Sequence, residues 1–443
     1  VPSGREPARA VIELVASGFV ELPDDLGPSD PLGWPGYDLA VAQATERTGE
    51  RESVVCGVAD IGGVTAVVVA FEFGFLGGSL GTRTGARIEQ AFTHARERRV
   101  PVVSLIATGG SRMQEGTLAL LQLQRIAGQI ALTREAGLPH VAVLRDPTTG
   151  GGWATLGAGA DVVLGLSGAQ VGFAGSRVRP PGYSVTHQFA AGLVDQLVPP
   201  DELRDRLERW LKLLTTPAAE APVPKAMGAS TLPETGWDAV LRARAPSRPR
   251  ARDYLAACFD WHEPINGDRA GGVDPGVLCG FGHRDGVTIA YAAQCGTATR
   301  PAGFRTAARL VTLADRLGIP VLTLVDTPGA ANDATAEKAG AGAAIADMFT
   351  AIAAARVPIT TLLIGEGGSG GALAFAAPDR MWVTPDSYFA VISPELAAAI
   401  LKREQARTKE TADQLRLRPQ DLVELGIARG IAELDQAGQA TAM

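Results

Sequence analysis

Val100-Pro101-Val102-Val103-Ser104-Leu105-Ile106-Ala107-Thr108-Gly109-Gly110 and Ile319-Pro320-Val321-Leu322-Thr323-Leu324-Val325-Asp326-Thr327-Pro328-Gly329 follow one pattern, 219 residues apart. Each is a short apolar run rich in Val, Ile and Leu, with Pro near its start and Gly at its end. Such a run reads as a strand buried on both faces. The same offset returns downstream. Leu138-Pro139 through Gly151-Gly152 answers Val357-Pro358 through Gly370-Gly371. Upstream, Gly63-Val64-Thr65 answers Gly286-Val287-Thr288 at an offset of 223, so the second copy has lost a few residues in between. Matched segments at a near-constant spacing mark a duplicated domain.

Each copy reads as strand, helix, strand ending in Gly, helix, and strand ending in Gly-Gly. The first helix of each copy is expected over Gly85–Arg99 and Gly303–Leu317. In the second, Phe304, Ala307, Ala308, Val311, Ala314 and Leu317 recur at i/i+3/i+4 spacing and form one apolar face. Short strands alternating with helices predict an α/β fold with mainly parallel pairing. Residues 216–250 are rich in Pro, Ala and Arg, the composition of a linker. The expected division is a domain over 1–220, a linker over 221–250 in which Trp237 and Leu241 imply some packing, and a domain over 251–443.

The bulk properties narrow the function. The 443 residues are 46% hydrophobic and 20% charged, which suits a globular protein with substantial cores. A net charge of −7 gives a nucleic-acid partner no support. No run of 18 apolar residues occurs, so no membrane span is expected. Val1–Ala10 lacks the basic and apolar regions of a signal peptide. The four cysteines show no CxxC spacing, so a reduced, cytoplasmic setting is expected. Cys279 and His283 are four apart, but structural zinc needs four ligands and no metal site is expected.

The chemistry is expected at four Gly-rich turns: Gly109-Gly110, Gly150-Gly151-Gly152, Gly329-Ala330, and Gly365 through Gly371. Each is expected to precede a helix. N–H groups at a helix start are unpaired and positively polarised, and Gly lets another atom approach them. Two such turns on neighbouring strands can aim two donors at one oxygen, as a thioester enolate requires. Other motifs overlap here and lack partners. Gly365 through Gly370 fits GxGxxG, but lies deep in the second half with no convincing acidic ribose partner. Gly367 through Gly371 fits GxSxG, which needs a His after the Ser. All five His precede it. Asp326 through Gly329 resembles the DxxG of GTPases, yet no phosphate loop accompanies it. His187 is read as structural more readily than catalytic. Arg112, following a Gly-Gly turn, suits a phosphate, a carboxylate or an ordinary ion pair.

These residues resemble a known family, the biotin-dependent acyl-CoA carboxyltransferases. The first half resembles the β subunit of bacterial acetyl-CoA carboxylase carboxyltransferase. The matching stretches are Phe71-Glu72-Phe73, Gly77-Gly78-Ser79-Leu80-Gly81, Gly109-Gly110-Ser111-Arg112-Met113-Gln114-Glu115, Asp146-Pro147-Thr148-Thr149-Gly150-Gly151 and Gly172-Phe173-Ala174-Gly175. The second half resembles the α subunit through Gly267-Asp268-Arg269-Ala270, Asp326-Thr327-Pro328-Gly329-Ala330, Gly365 through Ala372, and Ile392-Ser393-Pro394-Glu395. The fused order also resembles propionyl-CoA carboxylase β chains.

The resemblance implies two tandem ClpP/crotonase-like domains, built as a ββα superhelix. It implies a homodimer or higher homo-oligomer in which the first domain of one protomer faces the second domain of another. It places an acyl-CoA, with acetyl-CoA expected and malonyl-CoA as product, against Gly77, Gly78, Ser79, Gly109, Arg112 and Gly175. Gly110 with Gly151 or Gly152 would hold the thioester oxygen. Gly329, Ala330, Gly370 and Gly371 would hold the ureido oxygen of biotin. Carboxybiotin then releases CO₂ and takes the α-proton, which explains why no His or carboxylate base is needed.

There are departures from the family pattern. No Cys₄ zinc ribbon is present, Gln294–Gly303 shortens a basic loop, and Arg177–Tyr183 abbreviates another. Asn332-Asp333 replaces a Pro-Gly. Lys225-Ala226-Met227 has the wrong order for a biotin attachment site. Biotin is therefore expected on a separate biotin carboxyl carrier protein, charged by a biotin carboxylase. Two other readings use the same residues: a decarboxylase of malonyl-type thioesters, and a non-catalytic assembly subunit.

Overall fold

The two quoted runs become central strands of two different sheets. The computed structural model describes residues 5–23, 27, 30–174 and 182–434. The chain divides into two compact units, the first running to Thr215 and taking back Arg269–Gly271, the second holding the rest from Thr216.

In the first unit the strands are β1 (Ser17–Glu21), β2 (Val54–Ile61), β3 (Val64–Phe71), β4 (Val102–Thr108), β5 (His140–Thr149), β6 (Val162–Leu166), β7 (Val171–Gly172) and β8 (Gln196–Val198). They lie in the order β1-β2-β3-β4-β5-β6-β8, with β7 also on β5. Pairing is antiparallel from β1 to β3 and parallel beyond. The second unit repeats the plan with β9 (Trp261–Ile265), β10 (Val277–Arg284), β11 (Val287–Gln294), β12 (Val321–Thr327), β13 (Ile359–Gly368), β14 (Met381–Val383), β15 (Tyr388–Ala390) and β16 (Gly430–Ile431). Its order is β16-β14-β13-β12-β11-β10-β9, with β15 also on β13. All seven residues of β4 and of β12 are buried, as parallel strands covered on both faces require.

The duplication holds residue by residue. Strands β4 and β12, strands β5 and β13, and the helices Thr82–Arg98 and Pro301–Leu317 begin and end 219 residues apart. Strands β2 and β10, and β3 and β11, keep the offset of 223. The lost residues therefore fall between strand and helix, where 72–81 in the first unit is answered by the shorter 295–300. The register is shared as well. Val67 pairs with Val102 and Ala290 with Val321, and an irregularity before Thr108 recurs before Thr327. Such irregularities bend a strand end and re-aim its backbone.

Both helices start earlier than expected. The Gly81 N–H donates to Thr84 Oγ1 at 3.1 Å, which caps the first. Pro301 opens the second, a position where its missing N–H costs nothing. Ile88, Ala91, Phe92 and Ala95 of the first helix join the core of the first sheet. The stretch read as a linker, 221–250, lies in the second unit. There Ala221 and Ala226 join its main core, and the helix Gly236–Arg244 buries Ala239, Val240 and Ala243.

Candidate active site

In the first unit two turns meet at the ends of β4 and β5. Gly110 has φ 109° and Gly150 φ 60°, conformations open to Gly and strained for other residues. A methyl group on Gly150 would lie 3.0 Å from Gly110 Cα, so the two backbones pass in near contact. Thr108 holds them together. Its Oγ1 accepts the Gly110 N–H at 3.1 Å, its carbonyl accepts the Thr149 hydroxyl at 3.1 Å, and its methyl leaves no room for a side chain on Gly152. Beyond Gly150 the chain forms a short helix, Gly150–Gly152, continued by a π-turn over Trp153–Gly157. N–H groups in the first turn of a helix have no acceptor within it. Gly151 and Gly152 thus present donors, whereas the Gly110 N–H is turned onto Thr108.

One expectation needs correcting. Gly109-Gly110 and Gly329-Ala330 do not open helices. The chain leaves each strand through a left-handed Gly and makes a short parallel bridge to a loop, Leu80 to Ser111 in one unit and Thr299 to Ala330 in the other. The bonds correspond at the same 219 offset. Leu80 N donates to Gly110 O and Arg112 N to Leu80 O; Thr299 N donates to Gly329 O and Ala331 N to Thr299 O.

The loop over Gly77, Gly78 and Ser79 lies across this turn. The Gly109 N–H donates to Gly77 O at 2.9 Å, and a methyl on Gly78 would collide with Ala107 O at 2.1 Å. Arg112 pins the loop. It is 2% exposed and forms an ion pair with Glu52. Its Nε donates to Ser79 Oγ at 3.1 Å, its Nη2 to Ser79 O at 2.8 Å, and its Nη1 to Tyr37 OH at 3.1 Å and Glu115 Oε1 at 3.3 Å. With its donors spent inside the protein, Arg112 is not placed to contact a substrate. The ion-pair reading is the one realised, and the partner, Glu52, escaped the sequence reading because nothing local marks it. Burial pushes the Glu52 carboxyl up, but the Arg112 charge and hydrogen bonds outweigh it and hold it below the usual range. Ser184 caps the helix that carries His187, accepting the His187 backbone N–H at 3.3 Å, and its hydroxyl shares a 2.7 Å hydrogen bond with His187 Nδ1. Gly175 lies outside the described residues.

The second unit brings Gly329, Ala330, Gly370 and Gly371 together. Gly329 has φ 139° and donates its N–H to Thr327 Oγ1 at 3.1 Å, as Gly110 does to Thr108. A methyl on Gly371 would lie 2.3 Å from Ala330 N, while nothing stands within 4 Å of one on Gly370. Gly370 and Gly371 lie in the first turn of the helix Ser369–Leu373, and the Ala330 N–H is not used by the bridge to Thr299. Ser369 stands where the first unit has Gly150 and takes the same left-handed conformation, φ 56°. Behind the turn, Asp326 is fully buried between Arg248 and Arg250. Glu366 is held by Arg244 at 2.9 Å and by the Tyr388 hydroxyl at 2.8 Å. The departure at Asn332-Asp333 is an ordered helix cap: Asp333 accepts from Thr335 N and Ala336 N at 3.0 Å and pairs with Arg300 at 3.1 Å.

Each unit therefore carries a turn pair with uncommitted N–H donors, suited to an oxygen that gains negative charge. In the second unit a side chain on Gly370 would meet open space, and the Ala330 N–H faces no partner in the bridge to Thr299. Among the described residues no cluster of three or more His, Cys, Asp or Glu is arranged to hold a metal, and no helix is long and apolar enough to cross a membrane.

Comparison with known proteins agrees with this division. Residues 34–180 match the carboxyl transferase domain family, and residues 231–441 match the acetyl co-enzyme A carboxylase carboxyltransferase-like family. The chain is 38% identical to the acetyl-coenzyme A carboxylase carboxyl transferase subunits beta/alpha of Saccharopolyspora erythraea, over 96% of this chain and 80% of that protein. It is 34% identical to the probable biotin-dependent acyl-coenzyme A carboxylase beta3 subunit of Mycobacterium tuberculosis, over 90% of this chain and 84% of that one. The solved structure of transcarboxylase 12S with methylmalonyl-coenzyme A and methylmalonic acid bound superposes with a TM-score of 0.82 at 20% identity, over 99% of this chain and 89% of that chain. A single-chain, multi-domain long-chain acyl-CoA carboxylase superposes at 0.77 and 20% identity, over 97% of this chain and 45% of that chain. The fold is that of the crotonase-like carboxyltransferases, in two tandem α/β domains.

Proposed function

This chain belongs to the carboxyltransferase family of acyl-CoA carboxylases, and on that premise we propose that it carboxylates acetyl-CoA to malonyl-CoA with carboxybiotin as donor. The observation that carries the reading is the pair of matched turns, one per unit, each with N–H donors left over after internal bonding. Deprotonating the α-carbon of a thioester moves charge onto its carbonyl oxygen. Donors fixed in advance at Gly151 and Gly152 stabilise that charge without reorganising, and one such donor is worth about 2.7–4 kcal/mol. The Gly77–Ser79 loop, pinned by Arg112, shapes the neighbouring backbone. In the second unit the N–H groups of Ala330, Gly370 and Gly371 are the ones that would hold the ureido oxygen of biotin. When bound there, carboxybiotin supplies both the carboxyl group and the base for the α-proton. The chain's own part is orientation and electrostatics.

Biotin arrives, on this reading, on a separate carrier protein charged by a biotin carboxylase, and the chain works as a homo-oligomer in the cytoplasm. The test is incubation with a carboxylated biotin carrier and a panel of acyl-CoAs, with products read by mass. Malonyl-CoA from acetyl-CoA is the expected leading product. A preference for propionyl-CoA would correct the acceptor, and no carboxylated product from any acyl-CoA would overturn the assignment.

A further inference from the structure

Gln294 closes β11 as Phe71 closes β3. Both are fully buried, but their surroundings differ. Gln294 Nε2 donates to Gly371 O at 3.0 Å and to Thr299 Oγ1 at 3.1 Å. The Thr299 hydroxyl reaches Thr327 Oγ1 at 3.5 Å, and Thr327 Oγ1 receives the Gly329 N–H at 3.1 Å. Thr299 and Thr327 are fully buried too. This chain of polar groups runs beneath the second turn pair and joins both of its halves. At the corresponding places the first unit has Phe71, Leu80 and Thr108, so only the last of the three is polar there. Gln294 Oε1 meets no donor among the described residues. A buried amide with an unused acceptor is a costly replacement for an apolar side chain, and packing alone does not account for it.

We propose that Gln294 is a positioning residue for carboxyl transfer. Its carboxamide ties the Gly371 peptide to Thr299, and Thr299 is bonded to both Gly329 and Ala331. The spacing between the Gly371 helix start and the Ala330 N–H is thereby fixed, and donors from two turns are held for one oxygen. The backbone plan of the two units is shared, so this polar brace is one of the side-chain features that distinguish the second turn pair from the first. The inference rests on the carboxyltransferase reading and refines its second half.

The test uses the full chain with a carboxylated biotin carrier and acetyl-CoA, in wild type, Gln294→Met and Gln294→Glu. Methionine keeps the length and removes the hydrogen bonds. Its kcat is expected to fall about 10- to 100-fold, somewhat less than loss of an oxyanion donor, with KM for acetyl-CoA nearly unchanged. Glutamate separates positioning from packing. Its protonated form can donate to Gly371 O and its carboxylate cannot, and burial raises its pKa. The ratio of Gln294→Glu to wild-type activity should therefore rise as pH falls. A Gln294→Met enzyme with wild-type kcat, whatever its Tm, overturns the proposal; if that variant does not fold, a pH-independent Gln294→Glu ratio does so. A wild type without transfer activity overturns the carboxyltransferase reading itself, and this inference with it.

Discussion

Glu52 and Arg112 form a buried ion pair that braces the Gly77–Ser79 loop, and the consequences can be measured. The Glu52 carboxyl has its pKa lowered in the folded chain. Its contribution to stability is therefore complete above the unfolded carboxylate value of about 4.3. That contribution is lost as pH falls through the lower folded value. Glu52→Gln removes the nearer of the two carboxylates on the buried Arg112 and leaves Glu115 at 3.3 Å, a change expected to cost about 1.5–3 kcal/mol. Urea unfolding at neutral pH should show that loss, and the difference from wild type should shrink in acid. An unaltered midpoint at neutral pH would remove the brace from the account. At Gly371 and Gly370 the expected outcomes diverge. Gly371→Ala drives a methyl into the Ala330 backbone and should abolish transfer by separating the turns. Gly370→Ala has room for its methyl, so it should fold with wild-type Tm and lose activity by obstructing the space that the substrate needs. Equal Tm losses in the two variants would contradict this geometry.

At the scale of elements, the strand ends carry the information. The Gly-rich motifs and their offset were legible because a left-handed turn and a close backbone approach both demand Gly, as at Gly110, Gly150 and Gly329. The sequence misleads at Ser369, where a serine occupies the left-handed position that Gly150 fills in the first unit. A strained non-Gly residue of this kind costs roughly 1–2 kcal/mol, and Gly loses more entropy on folding. Ser369→Gly is accordingly expected to be neutral or stabilising by up to about 1 kcal/mol, while Gly150→Ser should destabilise, since its Cβ would crowd Gly110 Cα. Chemical denaturation of the pair checks both signs. Helix starts were misread at Gly85 and Gly303 because the caps, Thr84 to Gly81 and Pro301, lie outside the apolar periodicity. The distant supports of the turns were not legible. Glu52 lies 60 residues from Arg112 and Gln294 lies 77 from Gly371, and no spacing rule links residues that meet only across a sheet. Thr108 and Thr327 were within reach, since both carry the 219 offset.

For the whole molecule, duplication explains the economy of the design. One strand–turn–helix plan is used twice, and the two copies differ in what supports the turn. The first is braced by the Arg112–Glu52 ion pair with Ser79 and Tyr37, the second by a buried amide and two threonines with Asp326 held between two arginines behind it. On the proposed function, the two supports would serve two different oxygens, one on a thioester and one on a ureido ring. The transfer reading and the decarboxylase alternative differ in what they require, because a decarboxylase needs only the thioester half. The measurement that bears on this most directly is malonyl-CoA turnover by the wild-type chain with and without a biotinylated carrier. The account predicts turnover that depends on the carrier and is lost in Gly371→Ala. Equal turnover without biotin, unaffected by Gly371→Ala, would contradict it.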